Sequence, residues 1–435
     1  MKKLKITGPT KLSGQIKIQG AKNAAMRYAI LPLLASDKFT FSNIPDIESI
    51  KNLLEIAKLQ GAKISWRADS FDIDTSTVSK SVPVDSETFY YTSGGIYAIP
   101  ILVSRFGRFI LEKQIERNDT GGDKIGTRSL DVVRKTFESL GIASRERENK
   151  IEFYLASKEP FTVTVPNKSV SVTINAVTSA LFKNGKSVIR QRSEEVEGED
   201  VIRFLQRAGA KIVVRDDTIE VEPSEIRGIN WEAVSDKNDL VTWVMAAVGT
   251  ASEISFTNIQ PNLMKLEPLL KLLESWQISM GFSAKSCRLD LAKMRLKPVN
   301  IIAGQYPLIH TDWQPLISPV LTKVVGESSL VDAVYTNRMR HWEELAKMGA
   351  RYEYFASSEF PGDGVNPRAV KVQGPVSLYG TQVEAKDVRS GGSLIIAGLM
   401  ASGKTEISGL EHIERGYENV VGRLRRLHAN VKLVS

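Results

Sequence analysis

The chain has 435 residues, which is too long for one ordinary hydrophobic core and predicts two domains of about 200 residues each. Its apolar content of 42% and charged content of 25% are typical of globular proteins and argue against a disordered or fibrous class. Lysine and arginine total 58 against 50 aspartate and glutamate. The resulting formal charge of +8 favours anionic partners without choosing among phosphorylated metabolites, nucleic acid and anionic lipid.

Composition also bears on location, partners and metal sites. The N-terminal residues are basic but lack an apolar core segment, and no apolar run approaches the ~20 residues that cross a bilayer, so we expect a cytoplasmic protein without a membrane partner. Basic residues are interspersed with acidic ones, which argues against a nucleic-acid partner. The single cysteine, Cys287, excludes a disulfide framework and a cysteine-built metal site. Histidines are scarce, which leaves acid–base chemistry to carboxylates and lysines; they are His310, His341, His412 and His428.

An amphipathic helical segment followed by a turn and a short strand recurs six times along the chain. Its first copy reads LLEIAKLQGAKISW, and apolar residues fall at the helical spacing i, i+3, i+4 and i+7. Glycine after an apolar residue suits the end of such a helix. The turn residues of the six copies are Gly61, Gly141, Gly209, Trp276, Gly349 and His428.

A second recurring segment precedes each of these helices, and it combines an apolar stretch, a polar turn and a short strand, as in LLASDKFTFSNI and MASGKTEISGL. Two markers in the same order, six times, predict an α/β (α+β) fold of six repeats. Three repeats per half predict two domains that join near Glu222–Asn230, with helices packed under sheets.

The segment Gly398–Thr405 matches the phosphate-binding pattern G-x-x-x-x-G-K-[ST] in full. A functional loop of this kind needs a strand before it and a helix that starts at the lysine. Here the sequence Glu-Ile-Ser-Gly follows, which is a poor helix start, and the equivalent stretches of other repeats read as a turn and a strand. We therefore predict a turn without a nucleotide-binding role.

Two segments in the first half place charged residues among small ones. In Gln19–Ala25, Lys22 stands at a possible helix start whose backbone N–H groups would suit an anion, although a solvated lysine is the plainer interpretation. Residues Asn118–Ser129 combine charged groups with three glycines. This composition is typical of a lid over a substrate and equally of a surface hairpin.

Two further candidates lie in the second half. Asp312 stands beside Ile309 and Trp313, and such surroundings can raise a carboxylate pKa toward that of a general base, although an N-cap aspartate is the commoner explanation. Three arginines occupy turn-like positions of the last two repeats and together suggest an anion clamp; they are Arg338, Arg389 and Arg415.

Taken in chain order, these segments resemble the motifs of the enolpyruvyl transferase family. The matching stretches are GAKNAA, GG-x-x-IG-x-R, TDWQ, NRMRH, DVRSGGSLIIAG and IERGYE, and the resemblance runs nearly end to end. The chain is most similar to the branch of that family that acts on UDP-N-acetylglucosamine. The shikimate-pathway branch shares the architecture of six repeats but not the GAKNAA and IERGYE pattern.

The resemblance implies a two-domain inside-out α/β barrel with three repeats per domain and the active site in the cleft between them. It implies a discontinuous first domain of residues 1–20 with 230–435, and a second domain of residues 21–229 with a mobile loop around 115–128. The implied reaction moves the enolpyruvyl group of phosphoenolpyruvate to the 3-hydroxyl of UDP-N-acetylglucosamine and releases phosphate. This is the first committed step of peptidoglycan synthesis, and thus serves cell-wall biogenesis, cell shape and cell division. No metal or cofactor is implied, and we expect a monomer.

Site roles follow from the same resemblance. Asp123 is the implied general acid, Asp312 the general base, and Lys22 a catalytic residue that also holds phosphoenolpyruvate. The other implied phosphoenolpyruvate ligands are Arg128, Arg338, Arg389 and Arg415. The implied contacts of the nucleotide sugar are Asn23, Arg128, Ser129, Leu130, Asp131, Ser169, Val170, Asp312 and Val334.

The chain departs from the family pattern at three positions. Asp123 stands where most relatives have cysteine, so we expect no thiolate for the antibiotic fosfomycin to alkylate. Ser93 and Asn167 stand where the family has an arginine and a lysine, with Lys168 adjacent to the second position. These departures leave open an enolpyruvyl transferase for another alcohol, a silent paralogue that binds a nucleotide sugar, and, less favoured by the residues, an RNA-end-processing enzyme of related architecture.

Overall fold

The structure of the protein, a computed structural model, describes residues 2–91, 94–112, 130–362 and 366–434. Within these ranges the chain forms 25 strands and 14 α-helices, with 3-10 turns at Leu31–Leu34, Gly95–Tyr97 and Pro166–Lys168. None of the described helices is long and apolar enough to cross a membrane.

The strands in chain order are β1 (Lys3–Gly8), β2 (Gly14–Lys17), β3 (Lys38–Ser42), β4 (Lys63–Arg67), β5 (Ser70–Asp74), β6 (Val84–Asp85), β7 (Arg108–Glu112), β8 (Ile142–Arg147), β9 (Lys150–Leu155), β10 (Thr162–Thr164), β11 (Ser187–Arg190), β12 (Lys211–Arg215), β13 (Thr218–Glu222), β14 (Asn230–Glu232), β15 (Ile254–Thr257), β16 (Ser279–Phe282), β17 (Ser286–Asp290), β18 (Asn300–Gly304), β19 (Ile309–His310), β20 (Gly326–Asp332), β21 (Arg351–Phe355), β22 (Ala369–Gly374), β23 (Gln382–Glu384), β24 (Gly403–Ser408) and β25 (Asn430–Val434).

The helices in chain order are α1 (Lys22–Tyr28), α2 (Glu48–Leu59), α3 (Ser86–Tyr91), α4 (Ala98–Phe106), α5 (Leu130–Glu138), α6 (Val170–Ala180), α7 (Val196–Arg207), α8 (Lys237–Gly249), α9 (Glu267–Ser275), α10 (Gln314–Leu321), α11 (His341–Lys347), α12 (Val388–Met400), α13 (Leu410–Glu414) and α14 (Val420–Arg426).

The described strands form six sheets with one shared pattern: an edge strand pairs in parallel with the next strand, and two antiparallel pairings follow. The orders are β14-β3-β5-β4, β6-β7-β9-β8, β10-β11-β13-β12, β2-β15-β17-β16, β18-β20-β22-β21 with β19 added at its edge, and β23-β24-β1-β25. In each repeat, the second recurring segment of the sequence, such as LLASDKFTFSNI, contains the second strand in these orders. The prediction of six repeats, three in each half of the fold, is confirmed.

By its internal contacts the chain divides into two compact units. The N/C unit comprises the described residues up to Gln19 and from Ser235 onward, and the middle unit runs from Gly20 to Val234. The resemblance implied residues 21–229 for this part of the chain. Residues 230–234 also belong to the middle unit by their contacts, since β14 pairs with β3 and Ala233 N donates a hydrogen bond to Ser42 O.

In the N/C unit, helices α8, α10 and α12 are buried on every side. They pack against one another, while α10 also packs on β20, and α12 on β1 and β24. A helix that is apolar all round belongs in a core. Helices therefore form the centre of this unit and sheets lie outside them, which is the inside-out arrangement that the resemblance implied.

In the middle unit the corresponding core helices are α1, α4 and α6. Helix α4 packs on α6, α6 packs on α7, and α1 packs on α2 and α7. The ring of Tyr28 lies 4.9 Å from that of Phe41 and 5.4 Å from that of Phe204, measured between centroids. These aromatic contacts anchor α1 in the core.

Each of the six predicted helix ends places one residue in the left-handed conformation. Four of the residues are glycine, as predicted, and the others are Gln277 and His428; the full set is Gly61, Gly141, Gly209, Gln277, Gly349 and His428. The marker of the fourth repeat was assigned to Trp276, and this was wrong by one residue. Trp276 is instead fully buried, and its indole nitrogen donates to Lys297 O.

The apparent phosphate loop is a turn, as predicted. Gly398 lies inside α12, Gly403 adopts φ +90°, and β24 begins there. A helix precedes the lysine and a strand contains it, which is the reverse of the order that phosphate binding needs. Lys404 pairs with Thr7 in the sheet.

Candidate active site

A carboxylate held between two buried guanidinium groups lies in the N/C unit, and we call Asp312, Arg338 and Arg389 the Asp312 cluster. Arg338 Nη2 lies 2.6 Å from Asp312 Oδ1, and Arg389 Nε lies 3.0 Å from Asp312 Oδ2. The arginine side chains are 4% and 5% exposed and the aspartate side chain is 16% exposed, so Asp312 alone of the three has an appreciable opening to solvent. The fold thus brings together three residues that the sequence analysis had selected.

Local structure explains how Arg389 reaches this position. Asp387 caps α12, since its side chain accepts hydrogen bonds from the backbone N–H groups of Arg389 and Ser390. The Ser390 hydroxyl accepts one from Asp387 N, which completes a capping box. The arginine is therefore fixed in the first turn of a fully buried helix.

The loops that carry the other two members are joined by Asp332, at the end of β20. Its Oδ2 accepts a hydrogen bond from the Thr311 hydroxyl at 2.6 Å, and its Oδ1 accepts from Val334 N and Tyr335 N at 2.8 Å each. Asp332 is fully buried, and this burial raises its pKa. One carboxylate thereby ties the turn before α10 to the turn after β20, where Val334 lies.

The electrostatics of Asp312 differ from the sequence-based expectation. Burial alone would raise the pKa of this carboxyl, but the charges of Arg338 and Arg389, followed by His310, outweigh burial and hold the pKa well below its usual range. The expected upward shift from apolar neighbours is therefore wrong for this state of the protein. The two arginines that reverse its sign come from other elements of the fold.

Arg338 has unused hydrogen-bonding capacity toward an anion. Its Nε and Nη1 are buried and have no hydrogen-bond partner among the described residues, while its guanidinium carbon lies 5.1 Å from the centre of the Tyr335 ring. Buried donors without an acceptor are rare and costly in folded proteins. The two unused donors of Arg338 therefore suit the Asp312 cluster to bind an anionic group.

Two neighbours of the cluster were missed by the sequence analysis. Asn238, in the first turn of α8, donates from Nδ2 to Asp312 Oδ2 at 3.2 Å and accepts from Trp313 Nε1 at 2.8 Å. The fully buried Tyr417 hydroxyl accepts from Arg389 Nη1 at 3.3 Å. The helix-start sequence Ser-Asp-Lys-Asn-Asp was a local signal for the first neighbour, because Asp236 caps α8 there.

The remaining predicted residues lie at helix ends and turns. Arg415 follows α13 in the N/C unit and is half-buried. In the middle unit, Lys22 and Asn23 are the first residues of α1, the lysine half-buried and the asparagine exposed. Ser169 caps α6 by accepting from Val172 N, and Val170 is the first residue of that helix.

Several predicted residues lie outside the described part of the chain. They are Ser93, Asp123, Arg128 and Ser129. Leu130 and Asp131 belong to the first turn of α5, and their side chains are not described.

The sole thiol of the protein is buried in a strand of the N/C unit. Cys287, in β17, is 3% exposed, and burial raises its pKa to about 12. Among the described residues, no group of three or more His, Cys, Asp or Glu side chains could hold a metal ion.

The chain is similar to known proteins along nearly its whole length. The family model described as EPSP synthase (3-phosphoshikimate 1-carboxyvinyltransferase) matches residues 6–424. UDP-N-acetylglucosamine 1-carboxyvinyltransferase 2 of Bacillus subtilis (strain 168) is 30% identical over 437 residues, covering 99% of this chain and 96% of the relative. UDP-N-acetylglucosamine 1-carboxyvinyltransferase of Streptococcus pneumoniae (strain Hungary19A-6) is 31% identical over 442 residues, with full coverage of both chains.

Two solved structures share the fold. The enolpyruvyl transferase NikO from Streptomyces tendae superposes with a TM-score of 0.85 at 21% identity, covering 100% of this chain and 99% of the other. EPSP synthase from Acinetobacter baumannii gives 0.75 at 14% identity, with complete coverage of both chains. The match of the family model over nearly the whole chain, together with relatives at 30% identity and above, shows that this chain belongs to the EPSP synthase family and is an enolpyruvyl transferase.

Proposed function

We propose that this enzyme transfers the enolpyruvyl group of phosphoenolpyruvate to the 3-hydroxyl of UDP-N-acetylglucosamine and releases phosphate. The printed names of its curated relatives support this acceptor. The observation that carries the proposal is the Asp312 cluster. There one carboxylate contacts two guanidinium groups, and Arg338 keeps two buried N–H donors that no described residue accepts from. A reaction between an alcohol and a phosphorylated carboxylate needs a proton acceptor and cations of this kind.

The chemistry is addition followed by elimination. In the addition, the sugar hydroxyl oxygen bonds to C2 of phosphoenolpyruvate and a proton joins C3, which converts the double bond to a single bond. In the elimination, C3 loses a proton, the bond from C2 to the phosphate oxygen breaks with its electron pair leaving on phosphate, and the double bond returns. The hydroxyl proton departs with phosphate, so atoms and charge balance.

Asp312 is the proposed acceptor of the hydroxyl proton, and Asp123 the proposed donor to C3. The low pKa of Asp312 keeps it ionised and ready to accept, but also makes it a weak base. An anion that binds to the unused donors of Arg338 would offset part of the positive charge around the carboxylate. Its pKa would then rise toward the value that general-base catalysis needs.

The other proposed roles follow the family motifs. Lys22, Arg128, Arg338, Arg389 and Arg415 bind phosphoenolpyruvate, with Lys22 also catalytic. The nucleotide sugar contacts Asn23, Arg128, Ser129, Leu130, Asp131, Ser169, Val170, Asp312 and Val334.

The test is an assay of purified protein with phosphoenolpyruvate and UDP-N-acetylglucosamine, in which released phosphate and product mass are both measured. We expect equal amounts of phosphate and enolpyruvyl sugar nucleotide. Asp312→Asn should lower kcat by about 10²–10⁴-fold, the usual contribution of a general base. The matched control is Asp239→Asn, which breaks a buried ion pair with Arg423 of similar geometry outside the cluster. It should lower stability while the folded protein keeps its kcat.

A different alcohol acceptor is the second candidate, and one contact favours it. Asn167 supplies no cation, and the neighbouring Lys168 is paired with Glu194, with Nζ 3.1 Å from Oε1. Its charge is therefore partly offset where a sugar diphosphate would need it. Phosphate release with shikimate 3-phosphate or another alcohol, and none with UDP-N-acetylglucosamine, would establish this alternative; no release with any acceptor would leave a silent paralogue.

A further inference from the structure

A buried amide lies against the carboxylate of the Asp312 cluster. Asn238, in the first turn of α8, is 1% exposed, and its Nδ2 donates to Asp312 Oδ2 at 3.2 Å. Its Oδ1 accepts from the indole nitrogen of the equally buried Trp313 at 2.8 Å. The backbone of Asn238 is held as well, because its N–H donates to Asp236 Oδ1 and its carbonyl accepts from the Thr242 hydroxyl, both at 2.8 Å. These contacts point to a role that Asn238 exerts through Asp312 and not through direct contact with a substrate.

The indole of Trp313 determines which end of the amide faces Asp312. An indole N–H only donates, and an ionised carboxylate only accepts. If the amide of Asn238 were turned end for end, two donors would meet at the indole and two acceptors would meet at the carboxylate. Trp313 therefore fixes the amide with its NH2 group toward Asp312.

The two oxygens of the Asp312 carboxylate have unequal contacts. A carboxylate oxygen has about two lone-pair directions for hydrogen bonds. At Oδ2 both directions are taken, by Arg389 Nε at 3.0 Å and by Asn238 Nδ2 at 3.2 Å. At Oδ1 the described residues supply one contact, from Arg338 Nη2 at 2.6 Å, so one direction stays open. A proton can therefore be taken up at Oδ1, whereas at Oδ2 it would displace a donor.

We propose that Asn238, oriented by Trp313, is a positioning residue that fills the second lone-pair direction of Asp312 Oδ2 and reserves Oδ1 for the proton of the acceptor hydroxyl. The proposal rests on the proposed function, in which Asp312 is the general base. The O–H bond of the alcohol breaks, its electron pair stays on the oxygen that attacks C2 of phosphoenolpyruvate, and the proton bonds to Oδ1. The proton later departs with phosphate, which restores the carboxylate.

The first measurement is steady-state kinetics of Asn238→Leu, with whichever alcohol the wild type accepts. Leucine has a similar volume, excludes water from the vacated space and supplies no donor to Oδ2. The carboxylate of Asp312 can then turn between its two arginines, and a misplacement of about 1 Å in a reacting group can cost about 10²-fold in rate. We expect kcat to fall about ten- to a hundredfold while KM for both substrates changes little. An unchanged or higher kcat, or a rise in KM alone, would overturn the proposal.

The direction of the change in kcat separates the orientation of the carboxylate from its basicity. Loss of a hydrogen bond to a carboxylate raises its pKa. Because the pKa of Asp312 is held low, this rise alone would make it a stronger base and increase kcat. A fall in kcat of Asn238→Leu therefore reports the loss of orientation.

A second pair of variants tests the role of the indole. Trp313→Phe keeps an aromatic ring in the core and removes the N–H that orients Asn238. Trp243→Phe, the matched control, removes an indole N–H that donates to Asp239 Oδ1 at 2.9 Å, on the same helix as Asn238 but outside the Asp312 cluster. Both changes should lower Tm by comparable amounts, but only Trp313→Phe should lower kcat. Equal kcat values for the two variants would overturn the proposal.

A double-mutant cycle shows whether Asn238 acts through Asp312. Residues that act as a unit give losses of rate that do not multiply. In the Asp312→Asn background, Asn238→Leu should therefore lower kcat by much less than it does in the wild type. Losses that multiply in full would identify Asn238 as a structural residue and overturn this proposal, while the proposed function stands. An unchanged kcat of Asp312→Asn alone, or no phosphate release with any alcohol, would refute the proposed function and this proposal with it.

Discussion

At the scale of single residues, charge is distributed unevenly between carboxylates and arginines. Asp239 and Arg423 form a bidentate pair with contacts of 2.8 and 2.6 Å, in which each charge is offset. The Asp312 cluster has one carboxylate for two guanidinium groups, and none of the carboxylates in the described ranges pairs with Arg27. Because unpaired buried charge is costly, the positions where cations exceed carboxylates are the positions where an anionic ligand is expected.

The sole thiol gives a prediction about inhibition. Cys287 is buried and its pKa is raised to about 12, so it forms almost no thiolate at neutral pH, and the loop position of the family's cysteine is Asp123. Incubation with fosfomycin should leave kcat/KM unchanged, and intact-mass measurement should find no adduct. Asp123→Cys, the positive control, should become sensitive. Time-dependent inactivation of the wild type that Asp123→Asn abolishes would contradict the prediction.

Motif spacing was enough to select Asp312, Arg338 and Arg389, but not to give the environment of the aspartate. The direction of its pKa shift depends on arginines that approach from α12 and from the turn before α11, far away in sequence. Asn238 and Tyr417 reach the cluster from α8 and from the segment between α13 and α14, and neither contact follows from motif spacing. Arg27 was not selected because an arginine in an amphipathic helix gives no local sign of burial.

At the scale of elements, helix α11 determines the position of Arg338. Its first residue, His341, is 3% exposed. One ring nitrogen lies 3.1 Å from Arg338 O and the other 2.8 Å from the Ser318 hydroxyl of α10. The imidazole thus joins two helices and the backbone of a cluster residue, so changes at His341 should act on the turn that carries Arg338.

The buried state of this histidine should make the free energy of unfolding depend on pH. Burial lowers the pKa of His341 to about 3, whereas an unfolded histidine titrates near 6.5. The unfolded chain therefore binds a proton that the folded chain does not, and the contribution of His341 is complete above about pH 6.5 and is lost as pH falls toward 3. The slope is up to about 1.4 kcal/mol per pH unit.

Urea unfolding of wild type and His341→Gln at pH 7, 6 and 5 tests this expectation. Carboxylates titrate in both proteins, so the difference between the two free energies of unfolding isolates the histidine. The wild type should lose stability faster than His341→Gln as pH falls. Parallel slopes would show that His341 is not held neutral by the fold.

At the scale of the whole molecule, the same backbone conformation ends a helix in each of the six repeats, just before the chain forms a hairpin. In each repeat the left-handed residue donates its backbone N–H to the carbonyl three residues earlier, as Gly61 does to Lys58 and Gln277 to Glu274. The residue after it often donates to the carbonyl five residues earlier, as Ala62 does to Ala57 and Ile278 to Leu273. This is the Schellman ending of a helix, in which glycine is favoured.

The periodic apolar pattern made the helices and the number of repeats predictable, because each repeat encodes them locally. The fourth helix end was misplaced because Gln277 adopts the conformation that glycine holds in four other repeats. The partner of β14 was also unpredictable from local sequence, since β14 pairs with β3, far earlier in the chain.

The repeat geometry predicts opposite effects of glycine at two equivalent positions. Gln277 is exposed with φ +59°, and a left-handed residue with a Cβ costs about 1–2 kcal/mol, of which the greater freedom of glycine in the unfolded chain offsets part. Gln277→Gly should therefore raise the free energy of unfolding by about 0.5–1 kcal/mol.

At Gly61, φ is +99° and a Cβ would meet no atom within 4 Å, so Gly61→Ala should lower stability by about 1 kcal/mol through backbone conformation alone. Urea unfolding of both variants checks the signs, and because the two sites lie in separate repeats, the double variant should show the sum of the two effects. A stabilising Gly61→Ala would mean that the shared helix ending does not persist in solution.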